Sequence, residues 1–173
     1  DSLQEGSGLV LSEKIPEDMG KHAVDRYLDF PRHLGCAISK PEFPIALQEA
    51  HFNRVRELLA AKTVDTTRGF VAVSPVAYWV TKLWDEAKFA AVCDRIVSEL
   101  GLPVVFTGES PEGPISRIRS LMQAPSASAA GETSLRELAA LFKQAAVLLT
   151  TDSGPMHLAA AVGNTRLDYE ESV

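Results

Sequence analysis

The sequence predicts an α/β fold, a Rossmann-like parallel sheet with flanking helices. Three observations predict it. From Gly69 onward, short apolar runs (GFVAVS, LPVVFTG, AVLLT) alternate with segments whose apolar residues recur at helical spacing. Each run leads into a helical segment rather than a two-residue turn, which joins strands in parallel through right-handed crossovers. The composition, 46% hydrophobic and 23% charged, is that of a chain with a globular core.

Residues 1 to 68 read as a connecting segment or the remnant of a preceding domain, and 69 to 173 as the sheet domain. GLVLS is a short strand candidate near the start. KHAVDRYLDFPRHLG predicts a helix with Val24, Tyr27 and Leu28 on one face, limited by Pro31 and closed by Gly35. QEAHFNRVRELLAAK predicts a second, with Phe52, Val55, Leu58 and Leu59 on one side. After the strand GFVAVS, Asp85 caps a helix whose stripe is Phe89, Val92, Cys93, Ile96 and Leu100, stopped by Gly101. LPVVFTG is the next strand and EGPISRIRSLMQ the next helix, followed by SASAAG as a short strand or loop. TSLRELAALFKQA is a helix capped by Thr133 or Ser134. AVLLT is a strand and GPMHLAAAVG the last helix.

Charge and cysteines exclude several classes. The net charge is −6 with no basic tract, which argues against a nucleic-acid partner while leaving room for a small anionic ligand at one local cation. Cys36 and Cys93 have no metal-ligand spacing and read as reduced, buried thiols of a cytoplasmic protein. No apolar run exceeds about five residues, as at 145 to 149, against the roughly 20 that span a bilayer. The start, DSLQEGSG, has no signal-peptide pattern and no Met, and reads as an internal boundary.

The stretch TTDSGPMHLAAAVG carries the chemistry. Ligands of parallel α/β sheets sit beyond the carboxyl ends of the strands, and Asp152, Ser153 and Gly154 fall there. Pro155 suits a first helical turn, whose free N–H groups and positive dipole end attract anions; a glycine lets one approach closely. The same residues also fit an ordinary helix start, with Asp152 or Ser153 as the cap.

TTDSGPMHLAAAVG resembles the signature of the ADP-heptose lipopolysaccharide heptosyltransferases, glycosyltransferase family 9. Three further segments agree in order. SPVAYWVTKLWDEAKFAAV is similar to the loop after the first strand of that family's C-terminal domain, where Lys-x-Trp precedes a helix. VVFTGESPEG is similar to its strand followed by Gly and then Glu. GETSLRELAALFKQAAVLLTTDSG resembles the helix leading into the signature strand. The match covers about residues 69 to 164, and more loosely the interdomain segment KHAVDRYL.

The resemblance implies one half of a GT-B type glycosyltransferase, the domain that binds the nucleotide-sugar donor ADP-heptose. The parent would transfer heptose, with inversion, to the lipopolysaccharide inner core. By the same resemblance Lys82 neutralises the donor diphosphate, Glu112 hydrogen-bonds the ribose (Glu109 being a nearby rival), Ser153 and Gly154 hold phosphate oxygens, and Asp152 contacts sugar hydroxyls. His157 either points toward the donor or is a packed histidine that fixes the loop. Met156 and Leu158 read as core, Trp84 as the anchor of the helix it precedes, and Trp79 as able to line the nucleotide pocket. No catalytic residue is identifiable here, because the family's acidic general base comes from its N-terminal domain. No cofactor is implied, and no metal, since no acidic pair stands in a DxD arrangement.

Two departures from the family pattern qualify this. Residues 1 to 68 do not match the N-terminal domain's core. The ending TRLDYEESV is polar and unlike a buried strand, where the family continues with a Pro-led apolar strand. A truncated chain, incomplete at its C-terminus and inactive alone, is therefore expected, and a non-catalytic nucleotide-sugar-binding fragment is the rival. A hydrolase using Ser153 and His157 lacks the G-x-S-x-G elbow. The final ESV also fits a carboxylate ligand of a PDZ groove. Location at the inner face of the inner membrane, in peripheral contact with a lipid acceptor, stays open, because no basic amphipathic helix is evident.

Overall fold

The computed structural model describes residues 15–16, 18–38, 41–164 and 166–169. The GLVLS strand candidate and the terminal ESV lie outside them. Two units divide the chain, Asp1–Glu42 and Phe43–Val173.

In the first unit, α1 spans Ala23–His33. His22 precedes it, its Nδ1 accepting the Val24 N–H at 3.3 Å. The helix continues through Pro31, and Gly35 closes it at φ +84°, a left-handed conformation that suits glycine. Asp29 accepts from Lys21 at 2.8 Å and Arg32 at 3.1 Å, and these bonds hold its carboxyl below the usual range. Tyr27, expected on the apolar face, is 73% exposed.

The second unit is a parallel sheet between two helical layers. Its strands are β1 Val71–Ser74, β2 Val104–Phe106, β3 Ala127–Ser128, β4 Val147–Thr151 and β5 Arg166–Tyr169, in the spatial order β3-β2-β1-β4-β5, all parallel. β1 reads VAVS without polar alternation because helices cover both of its faces. One face packs Phe70, Ala72, Val105 and Leu148 against α2 (Glu49–Ala61), α5 (Leu135–Gln144) and α6 (Gly154–Ala161). The other packs Val71, Val73, Val104 and Phe106 against α3 (Glu86–Arg95) and α4 (Pro114–Leu121). Because α2 contributes Val55, Leu58 and Leu59 to this core, the compact unit starts at Phe43, ahead of Gly69 where the strand pattern begins.

Local signals account for the helix ends. Asp85 caps α3 by accepting the Lys88 N–H at 3.0 Å. Ser134 caps α5 and exchanges two bonds with Glu137: the Glu137 N–H to Ser134 Oγ at 3.3 Å, and the Ser134 N–H to Glu137 Oε2 at 2.7 Å. Trp84 anchors α3, its ring edge-on to Phe89 at 5.0 Å.

Three expectations need correction. The last turn before Gly101, Ile96–Leu100, is wound as a π-helix, which rotates Leu100 off the apolar stripe to 55% exposure. Cys93 is buried, but Cys36, just past the end of α1, is exposed. Within the polar tail, Arg166–Tyr169 forms a strand: β5 pairs with β4 from Leu148↔Arg166 to Thr151↔Tyr169. Pairing uses the backbone, and an edge position asks for no apolar run.

Candidate functional site

In this sheet order the connection direction reverses between β1 and β4. The crevice beyond their carboxyl ends is the topological switch point, where such sheets take ligands. Two loops form it: residues 75–85 after β1, and Asp152–Ser153 between β4 and α6.

Buried hydroxyls tie these strand ends together. Ser74 pairs with Thr150 in register. Thr150 Oγ1 lies 3.2 Å from Ser74 O and 3.0 Å from Thr151 O, either of which can accept its proton. Thr151 Oγ1 donates to Val76 O at 3.0 Å, so β4 holds the start of the loop that follows β1. All three side chains are fully buried. Sequence reading missed them; the signal available was the pair of threonines at the end of an apolar run.

Ser153 occupies the position before α6 but does not cap it. Its hydroxyl turns back to donate to Thr151 O at 3.1 Å, and among the described residues no side-chain oxygen caps the first turn. Pro155 contributes no N–H there. The ordinary-cap explanation of D-S-G-P is thus not what the chain does: the Met156 N–H turns to Ser153 O at 3.0 Å, and the Gly154 N–H has no side-chain cap. Beside it, a Cβ placed on Gly154 would meet no atom within 4 Å. That side of the helix start is open space.

Lys82 reaches this point from the other loop. It ends the short 3₁₀ turn Val80–Lys82, where its N–H donates to Trp79 O at 3.0 Å. Its ammonium forms an ion pair with the Asp152 carboxylate, across 70 residues of sequence. Both side chains are partly exposed, 41% and 29%. Such a pair contributes only about 0–1 kcal/mol to stability, so a more highly charged anion can displace the carboxylate at small cost.

The remaining candidates stand apart from this pair. Glu112 is exposed in the loop after β2, its N–H donating to Ser110 Oγ at 3.2 Å, and Glu109 is exposed there too. Glycines shape that loop: a Cβ on Gly108 would come within 2.9 Å of Ile115 Cδ1, and one on Gly131, at φ +76°, within 3.1 Å of Glu109 O. His157 is exposed on α6 rather than packed. No hydrogen bond or ion pair joins the side chains of Glu112 or His157 to the other candidates among the described residues. Met156 and Leu158 are half-buried, Leu158 against the core. No group of His, Cys, Asp and Glu among the described residues is arranged to hold a metal. A cavity of about 360 Å³ elsewhere, beside β3, carries Lys62, Arg119 and Glu132, but these charges are engaged: Lys62 with Glu132 at 2.6 Å, Arg119 with Ser126 O at 2.9 Å.

Comparison with known proteins matches residues 2–167 to the model of glycosyltransferase family 9 (heptosyltransferase). Lipopolysaccharide core heptosyltransferase OpsX of Haemophilus influenzae is 24% identical over 163 residues, covering 92% of this chain and 45% of that protein. Among solved structures, a family 9 glycosyltransferase from Veillonella parvula superposes with a TM-score of 0.81 at 24% identity, over 90% of this chain and 45% of its own. Heptosyltransferase WaaC of E. coli with ADP gives 0.66 at 17% identity, over 94% and 49%. These structures share the fold. The chain spans less than half the length of the relatives it matches.

Proposed function

The chain belongs to glycosyltransferase family 9 (heptosyltransferase), and from that premise we propose that its β1/β4 crevice binds the diphosphate of ADP-heptose for heptosyl transfer to the lipopolysaccharide inner core. The observation that carries the reading is the Lys82–Asp152 pair set at an uncapped helix start. An ammonium pairs there with the residue two before the Gly154 N–H, with only a surface carboxylate to be displaced.

Each residue then has a role that its position allows. The diphosphate replaces Asp152 as the counter-ion of Lys82, while Ser153 and the Gly154 backbone take phosphate oxygens at the start of α6. Released from Lys82, Asp152 accepts from sugar hydroxyls. Glu112 accepts from the ribose, one strand over, and His157 faces the donor from the exposed side of α6. As the glycosidic bond breaks, negative charge builds on the leaving diphosphate. Lys82 and the helix dipole stabilise that charge, which lowers the barrier. The acceptor hydroxyl needs a base, which the reading assigns to the other half of a full-length enzyme. It also assigns the protein to the cytoplasm, with the lipid acceptor presented at the inner face of the inner membrane. No helix among the described residues is long and apolar enough to cross a membrane.

Calorimetric titration tests this. ADP should bind more tightly than UDP or GDP, and Lys82→Ala should weaken ADP at least tenfold, about the 1.4 kcal/mol or more of a charge-assisted contact. Equal binding of all three nucleotides, or an unaffected Lys82→Ala variant, would remove the basis for the assignment.

A further inference from the structure

Two aromatic rings stand at the rim of the crevice without a structural task. Tyr78 is 90% exposed and Trp79 62%, their centroids 5.1 Å apart and their planes at 86°. Neither belongs to the apolar core on either face of the sheet, whereas Trp84 in the same loop packs against Phe89. Val80, which follows them, is 81% exposed. A single exposed aromatic needs no explanation, but three consecutive exposed apolar residues beside an ion pair suit a binding surface.

The patch is held at both ends. Val76 O accepts from the buried Thr151 hydroxyl on one side, and Trp79 O accepts the Lys82 N–H on the other. Trp79 therefore sits one short turn from the ammonium assigned to the diphosphate. In a nucleotide sugar the transferred ring is bonded directly to that diphosphate. One face of such a ring presents C–H bonds, which pack on an aromatic face and leave the hydroxyls at the edge free to hydrogen-bond.

The geometry points to Trp79, held in a T-shaped pair with Tyr78, as the platform for the sugar ring of the nucleotide-sugar donor. The inference rests on the assignment of Lys82 to the diphosphate. Two other occupants fit less well. The base would lie at the far end of the nucleotide, toward Glu112. An anionic lipid surface would call for basic residues beside the rings, and the one lysine within residues 75–85 is paired with Asp152.

The chain has two tryptophans, so Trp84→Phe, which keeps an aromatic against Phe89, leaves Trp79 as sole reporter. Its emission should change with ADP-heptose and not with ADP. In calorimetry on the full chain, Trp79→Ala should lose about tenfold in ADP-heptose affinity and nothing in ADP affinity. That second measurement decides the matter if Trp84→Phe folds poorly. The assignment is overturned if ADP alone gives the whole emission change, which would make the ring a base stacker. It is overturned equally if phosphatidylglycerol vesicles shift the emission without nucleotide. It also fails if ADP-heptose binds but neither the emission nor the Trp79→Ala variant responds. Should the unmodified chain bind neither nucleotide, the donor-site assignment itself falls, and the platform with it.

Discussion

Gly154 separates stability from binding at a single atom. Its φ is not positive, and a Cβ there meets nothing, so Gly154→Ala should leave the melting temperature unchanged or slightly raised. If a phosphate oxygen occupies that open space, the same methyl should weaken ADP several-fold in calorimetry. A variant that binds ADP normally would show that the anion does not approach there. The cysteines make a second contrast at this scale. Burial pushes the Cys93 thiol from its usual 9.0 up to about 12, whereas Cys36 is exposed. One thiol per folded chain should therefore react with a disulfide reagent at pH 8, and two after unfolding. Between pH 9 and 12 the unfolded Cys93 loses its proton while the folded one keeps it. Fewer protons on the unfolded chain mean that stability falls as pH rises, by about 1.4 kcal/mol per unit at most. Alkaline melts of Cys93→Ala, compared with the parent at each pH, should lose that slope. Of the individual residues, Asp152, Ser153, Gly154 and Lys82 stand out in the sequence as candidates because they resemble a known pattern. The ion pair between two of them does not, since nothing local links positions 82 and 152.

Helices were legible to the extent that their ends carry side-chain signals. Asp85 starts α3 in the sequence as in the structure, and Gly101 ends the π turn that continues it. The Ser134–Glu137 exchange at α5 is a spacing one can read directly. Hydrogen bonds from the Ser134 N–H and from the Ser134 side chain hold the Glu137 carboxyl below its usual range, so that part of the α5 cap's stability is present above the unfolded carboxyl's pKa and fades as pH falls through the folded one. Ser134→Ala should cost about 1 kcal/mol in a urea melt at neutral pH, and less at pH 3. An undiminished cost at pH 3 would mean the hydroxyl acts without the carboxylate. The π turn was not legible, because apolar periodicity has no marker for one widened turn, and Leu100 was misplaced as a result. β5 was missed for a related reason. An edge strand is specified by backbone pairing, and a polar sequence at the edge is also a defence against unwanted strand addition.

At the scale of the molecule, the sequence implied parallel strands and helical crossovers but not their order. The order β3-β2-β1-β4-β5 is a tertiary fact, and it alone brings the loops after the first and fourth strands face to face. The site is thus a product of topology, with its members scattered along the chain and its chemistry written locally. A cation supplied by the chain also bears on the conditions for binding. If Lys82 and the α6 terminus neutralise the diphosphate, ADP affinity should be the same in EDTA as in magnesium. A magnesium requirement would point to a missing ligand set instead.

The Lys82–Asp152 pair has one more consequence. With its charge already matched by a carboxylate, Lys82 offers little to a passing chloride or other monovalent anion. A newcomer must compete with a group tethered in place, at an effective concentration that free ions do not reach in solution. Only a ligand bringing more than one negative charge, or additional contacts along its length, gains by the exchange. If the crevice takes the donor diphosphate, the internal counter-ion sets a threshold, made by two side chains, that common salts do not cross.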